Sequence, residues 1–498
     1  MGKTYEQIID RFDGGISEDK RSKASNKFSI TKHFDAQTFP HKLVPHYNTV
    51  SVEDKTYLIT KFLTDTQRNS TTVYTYGFGV SAGKSKVYRI LPDAVSGIWG
   101  GGANNTSTVT KKEGMIFYYK GYIYMFGGTT LMLQYDTSGS DSFDNAFQTL
   151  TAFTTTAQAV HHLTDDVAYF FTDNVVHKLD DTVFTEATLT LPSNLKIIDA
   201  CQYGDYLAIG CTSKDDLESS VFLWDRNATT WNDRIDLGTG KLLYIESLGG
   251  RLIAVIDFGI GNTAIGLEES KLIIKQAIGD KAIILNELQS DANAGLSQGT
   301  TVRTKVVRNN KLYFPYQMPF EGDTRNGIWV VDSSGRATLD FVEEEVLTAT
   351  TKNYQGILSY INKWWIAHSA DGSVDTSDAN SVYSANSIYE SLIFNGKDKG
   401  TTQKKLLSVG VKFEALPASG SVKLEYRVDG DLDDADEWTT IFTDTTDDDT
   451  YHDAINIESD GSAFTDYKEI QFRITSTGGA VITALKFKYE QIPNSLTD

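Results

Sequence analysis

The sequence predicts a mainly β protein, and three observations carry that expectation. Thr, Tyr, Val, Ile and Phe are frequent and only 8 of 498 residues are proline, a balance that favours extended backbone. One phrase recurs along the chain: an apolar strand, a tight polar turn, then a second apolar or aromatic strand. Beyond Lys405 this phrase gives way to segments that alternate apolar and polar residues, the period of a half-buried strand.

Residues 1–48 come first and carry no copy of the phrase. The repeats follow. A weak copy, TVSVEDKTYLITKF, starts at Thr49, and clear copies are MIFYYKGYIYMFGG at Met115, HHLTDDVAYFFTD at His161 and IIDACQYGDYLAIGC at Ile197. Others are LYIESLGGRLIAVIDF at Leu243, TKVVRNNKLYFPYQ at Thr304 and ILSYINKWWIAHS at Ile357. Most are followed by a further strand ending in a polar turn, such as LMLQYDTSG, SVFLWDRNATTW or SIYESLIFNG. Each unit is thus a pair of hairpins, and about seven units of 40 to 65 residues fit between Thr49 and Phe394. That period and strand content suit a β-propeller of about seven irregular blades over 49–395, with a long sandwich or solenoid as the alternative.

Residues 396–404 are polar, contain glycine and are rich in lysine, so they read as a linker. Residues 405–498 then read as a compact C-terminal β-sandwich with acidic loops at DGDLDDADEW and DTTDDDTYHD.

Charge narrows the partners. The chain carries 46 Lys and Arg against 66 Asp and Glu, net −20, which disfavours specific nucleic-acid binding because that depends on cationic side chains releasing counterions. From Lys405 onward the count is 8 against 19, whereas residues 1–46 carry 8 against 6. No apolar run is long enough to span a membrane, so no membrane insertion is expected, and MGKTYEQIID lacks the apolar region of a secretion signal. Cys201 and Cys211 flank a hairpin candidate. A turn at Gly204-Asp205 sets Cys201 opposite Ala208 and turns Cys211 to the other face, so no disulfide is expected.

Catalytic, cofactor and metal sets are all expected to be absent. Asp429, Asp431 and Asp433 have a spacing that can gather oxygens around calcium, but Asp434 stands where the EF-hand needs glycine and Thr440 where it needs glutamate. The adjacent His161 and His162 face opposite ways in a strand and cannot chelate together. GFGVSAG at Gly77 and GIWGGGAN at Gly97 miss dinucleotide spacing and read as turns or bulges. The sialidase Asp-box is missing its Trp in SADGSVDTS, and Trp364-Trp365 reads as a buried strand.

The most specific signal is the opening. Phe12-Asp13-Gly14-Gly15-Ile16-Ser17, followed by FSITKHFDAQTFPHKLVPH from Phe28, resembles the start of tailed-bacteriophage virion proteins. The resemblance implies a propeller closed by a β-sandwich and a structural role in the tail as nozzle, hub or tail-tip subunit. It implies localisation in the virion after synthesis in the host cytoplasm. Residues 1–48 then read as an extended assembly arm. Gly14 and Gly15 allow unusual backbone angles, and Phe12 and Ile16 are lone apolar anchors for a neighbour's groove. The bland alternative is a segment that covers one propeller face. Expected partners are other tail proteins, further copies in a homo-oligomeric ring, and a host-surface glycan or receptor. A carbohydrate-binding tail-fibre module, with Trp438 and Tyr451 as ligand contacts, is the alternative function, and a propeller glycoside hydrolase the third.

Overall fold

The computed structural model describes residues 3–17, 26–46, 49–53, 58–64, 75–81, 84–90, 105–137, 143–258, 270–290, 304–318, 326–342, 354–360, 363–368, 374–377, 386–396, 401–429, 438–456 and 461–492. Every regular element among them is a β-strand.

From Leu58 to Ser377 the sheets are antiparallel and their spatial order follows sequence order. The first has seven strands, Leu58–Thr64, Thr75–Ser81, Lys84–Ile90, Asn105–Tyr119, Tyr122–Gly127, Leu131–Asp136 and Phe143–Thr149. Its long strand Asn105–Tyr119 serves two quartets, pairing Lys84–Ile90 through residues 105–110 and Tyr122–Gly127 through residues 111–119. Four-stranded sheets follow over 156–190, 195–239, 241–290 and 306–342. A last sheet contains Tyr354–Tyr360, Lys363–His368 and Val374–Ser377.

Local sequence accounts for these hairpins. A strand covered on both faces reads as an unbroken apolar run, and Val167–Thr172, VAYFFT, is buried at all six positions. The outermost strand Val183–Thr190 is mostly exposed or half-buried. Turns are set by residues that accept positive φ, as at Asn309 and Asn310, with φ of 50° and 60°, the requirement of a two-residue hairpin turn. Cys201 pairs with Ala208 as expected. Cys201 and Cys211 are both free and fall into separate cores on the two sides of their sheet.

Neighbouring sheets touch through their first strands. Asn105–Tyr119 lies against Thr156–His162, that strand against Leu195–Tyr203, and the next against Lys241–Leu248. Tyr354–Tyr360 in turn lies against Leu58–Thr64. Apolar layers fill the gaps: Tyr169, Phe222 and Trp224 share one, and Ala208, Leu242 and Ile256 another.

Three expectations about domain limits need correction. The copy beginning at Thr49 is not a hairpin, because Thr49–Glu53 pairs with Val374–Ser377 while Leu58–Thr64 edges the seven-stranded sheet. Ser387–Ser391 joins none of the sheets between 49 and 377; it lies between Phe28–Lys32 and Ile470–Thr477. The change of architecture therefore falls between residues 377 and 387. Lys404 is no linker residue either, since it begins a strand and its buried Nζ donates to Thr402 O and Lys468 O, both at 2.9 Å.

The C-terminal region contains two sheets. One runs Phe28–Lys32, Ser387–Ser391, Ile470–Thr477, Ser421–Val428, Thr439–Asp444, and the other Thr4–Ile9, Ile482–Gln491, Lys404–Phe413, Tyr451–Ile455. They share one core that includes Val409, Val411, Leu424, Phe472, Ile474 and Phe487.

Candidate functional site

The expected assembly arm makes dense polar and apolar contacts, but they join parts of its own chain. Phe12 and Ile16 are 0% and 1% exposed, which corrects the expectation that they stand ready for a neighbour's groove. Phe12 meets Tyr389 edge-on at 5.2 Å, and its N–H donates to Pro40 O. Ile16 donates its N–H to Ala337 O at 2.9 Å, fastening the segment to the 306–342 sheet.

The glycines permit close backbone approach rather than hinge motion. A Cβ on Gly14 would stand 2.5 Å from Asn26 O, and Gly15 has φ of 76° with Ala337 O only 3.0 Å from its missing Cβ. Just before them Asp13 accepts from Arg11 at 3.0 Å, Asn26 at 3.3 Å and Arg336 at 3.1 Å. Burial opposes ionisation of Asp13, yet these donors outweigh it and hold the carboxyl below the usual range. Arg336 also pairs with Asp332 of the same sheet, so one guanidinium ties strap and sheet.

Further along, Gln37 Nε2 donates to Val330 O and Arg336 O, and Lys311 Nζ donates to Thr38 at 2.8 Å. Leu43 and Ile482 exchange backbone hydrogen bonds. Residues 3–17 and 26–46 therefore bridge the C-terminal sheets to the 306–342 sheet. Lone apolar residues around two glycines were visible in the sequence; the surface they fill was not, because it lies more than 300 residues away.

The expected ligand contacts separate in the structure. The ring of Trp438 lies under the guanidiniums of Arg427 and Arg473, at 4.4 and 4.0 Å. Arg473 is held by Glu390 at 2.7 Å and Arg427 by Gln471 at 3.0 Å, so Trp438 is engaged in a cation–π stack and is no open platform, a correction to its expected role. Tyr451 is 47% exposed and reaches across Gly410, its hydroxyl 2.6 Å from where a Cβ would stand. Burial of its hydroxyl and the nearby Asp453 raise its pKa. Lys486 and Glu6, paired at 2.7 Å, lie on the same sheet.

The loop considered for calcium reaches the described residues only at Asp429, which accepts the N–H groups of Lys468 and Glu469 at 2.8 Å. Asp431 and Asp433 lie outside them. Among the described residues no group of three His, Cys, Asp or Glu could hold a metal ion. His161 pairs with Asp166 at 2.8 Å while the His162 side chain is fully buried, so the two form no joint site. Trp364 and Trp365 are buried as expected. Gly77 and Gly79 fall inside a strand rather than a turn, and residues 97–104 lie outside the described set.

Sequence reasoning missed one cluster. Lys305 Nζ contacts Asp199 at 2.7 Å, Glu246 at 3.0 Å, Ile245 O at 2.5 Å and Ala200 O at 3.3 Å. Burial works against the ammonium, and the two carboxylates more than offset it, raising its pKa. Cys201 lies close by, its thiol pushed well up by burial and thus unreactive. Asp199 and Glu246 come from two consecutive sheets and Lys305 leads into the next, so the cluster ties the three together. Asp199 and Glu246 are a carboxylate pair of the kind a hydrolase needs, but both are engaged with the same lysine. The readable signal was an acid inside the apolar phrases IIDACQY and LYIES.

The strand pairing defines an all-β protein built on propeller-like antiparallel sheets. No protein-family model and no curated protein matches the chain. Among solved structures, similarity extends to the β-propeller domain of Myceliophteria thermophila Cps50 (Swd1), with 8% identity over 68% of this chain and 100% of that one, TM-score 0.42. The computationally designed Ika8 protein has 10% identity over 74% of this chain and 99% of its own, TM-score 0.36. Kuenenia stuttgartiensis hydrazine synthase has 9% identity over 59% and 80%, TM-score 0.38. These likenesses are remote, and the fold assignment rests on the strand order itself. No helix among the described residues is long and apolar enough to cross a membrane.

Proposed function

We propose that this chain is a non-catalytic structural subunit of a tailed-phage virion, a nozzle, hub or tail-tip component, whose body is a closed seven-bladed propeller carrying a β-sandwich. The observation that carries the reading is how distant segments complete each other's sheets. Thr49–Glu53 completes the sheet begun at Tyr354, and Thr4–Ile9 and Phe28–Lys32 complete the two C-terminal sheets. With Asn105–Tyr119 counted in both of its quartets, the quartets between 49 and 377 number seven, and the contact of Tyr354–Tyr360 with Leu58–Thr64 supports ring closure. Such latching gives a stiff block, the property a wall or hub subunit needs.

The opening motif FDGGIS and the segment from Phe28 support the phage assignment by their resemblance to tail proteins. A net charge of −20 is compatible with a surface that DNA passes without adhering. Because Phe12 and Ile16 are used within the chain, contacts between copies in the ring fall to other surfaces. The test is immunogold microscopy of particles from the source culture, with an antibody against residues 405–498. Label at one end of the tail supports the reading; label absent from all particles, with protein present in the lysate, overturns it.

Tyr451 favours a second reading, carbohydrate binding by the C-terminal sheets, because its exposed ring across Gly410 sits among paired amines and carboxylates able to bond sugar hydroxyls. A glycan-array signal lost in Tyr451→Ala but kept in Trp438→Ala supports it, and a silent array removes it.

A further inference from the structure

The ribbon formed by Phe34–Asp35 and Val44–Pro45 is flanked by two histidines that stand opposite each other, since Phe34 pairs with Pro45 and the His46 N–H donates to His33 O at 2.8 Å. The two side chains have different surroundings. His46 Nε2 lies 3.0 Å from Asp340 Oδ2 on the 306–342 sheet, and its ring packs against Phe341 at 4.6 Å with the planes tilted by 31°. Asp340 accepts a second bond from Thr338. His33 has φ of 59° and no carboxylate among the influences on its ring.

We propose that His33 and His46 form a pH-gated clasp, which holds the ribbon and the strap it belongs to on the 306–342 sheet most tightly near neutral pH. Among the described residues, the charged groups acting on the pair from the sheet are Asp340 and Lys311, and from the ribbon and its flank Asp35 and Lys32. A charged His46 is bonded to Asp340 and attracted by Asp35. A charged His33 would stand across the ribbon from a charged His46, and like charges directly opposite destabilise a strand pair.

The protonation directions agree with that geometry. Burial alone would lower His46, but Asp340 and Asp35 outweigh it and Lys311, so its pKa is raised. A raised histidine contributes stability that is present below the ordinary value and lost as pH climbs through the folded one. His33 is lowered to about 4, by burial first and then by the charges of His46 and Lys32. It therefore costs stability progressively as pH falls below about 6.5 towards that value. The clasp loosens on both sides of neutrality for two separate reasons. This inference rests on the ribbon, its contacts with the 306–342 sheet and the charges around the two rings, and it stands whether or not the chain is a virion protein.

Hydrogen–deuterium exchange of the full chain from pH 4 to 9.5 tests it, with rates corrected for intrinsic exchange and referenced to the strand Tyr206–Ser213. Protection of residues 34–46 is expected to peak near neutral pH and to fall on the order of tenfold by pH 9. His46→Gln and Asp340→Asn should each lower neutral protection and flatten the alkaline limb. His33→Asn, which keeps a residue tolerant of positive φ, should flatten the acid limb only. A wild-type profile without the alkaline fall overturns the proposal, as does a His46→Gln or Asp340→Asn profile parallel to wild type.

Discussion

The sheets between residues 156 and 258 and those formed after residue 386 are built from the same kinds of strand, yet they are specified differently. In the first region every strand pairs with its sequence neighbour, as in 156–162 with 167–172 and 195–203 with 206–213. In the second, Thr4–Ile9 pairs with Ile482–Gln491 and Phe28–Lys32 with Ser387–Ser391. Turn chemistry fixes the first kind locally. The second kind is fixed only by which apolar surfaces remain uncovered once the hairpins exist. The lesson is that repeats place a chain's middle, whereas its far segments are placed by the vacancies that the middle leaves.

Removing residues 1–27 would break that contrast most severely. It deletes the edge strand Thr4–Ile9 and the buried Phe12 and Ile16, so the C-terminal sheets should unfold at a markedly lower temperature, well ahead of the rest. Phe12→Ala alone should cost about 3–5 kcal/mol by urea denaturation. A truncated chain that melts like the full one would show the strap to be peripheral.

Lys305→Met attacks the hairpin region instead. It leaves buried Asp199 and half-buried Glu246 without their cation, and a loss of about 3–5 kcal/mol is expected, confined to the sheets between 195 and 342. Loss spread evenly into the C-terminal sheets would erase the distinction between the two regions.

Acid sharpens the comparison. His177 lies buried against Thr172, and desolvation lowers it to about 4 despite the opposing charge of Glu186. A histidine held neutral by burial loses stability as pH falls from about 6.5 to about 4, by up to roughly 3 kcal/mol. Melting curves of His177→Gln should show that acid loss reduced in the 156–190 sheet. The smallest effect belongs to Trp438→Ala, at about 1 kcal/mol, because Arg473 keeps Glu390 and Arg427 keeps Gln471.

These cases mark what was legible in the sequence. The turn at Gly204-Asp205 gave the pairing of Cys201 with Ala208, and with it the absence of a disulfide, because strand alternation is a local rule. Nothing local told that Thr49–Glu53 would leave its apparent partner for Val374–Ser377, or that SIYES would join Phe28–Lys32. Gly14 and Gly15 announced a close backbone approach, but the carbonyls approached, Asn26 O and Ala337 O, are set by tertiary packing. Trp438 and Tyr451 looked equivalent beside acidic loops. Only the register, which brings two arginines over one ring and a glycine under the other, separates them.

The pairing of Thr4–Ile9 with Ile482–Gln491 also sets a timetable. A ribosome adding roughly 5–20 residues per second needs on the order of half a minute or more to travel from one of these strands to the other. The intervening hairpins can close as they emerge, while the early strand, with Ile8 and Ile9 among its residues, waits without its partner. Its alternation with Thr4, Glu6 and Gln7 keeps it from being continuously apolar during that interval, the kind of interruption that restrains unpaired strands from associating with the wrong chain.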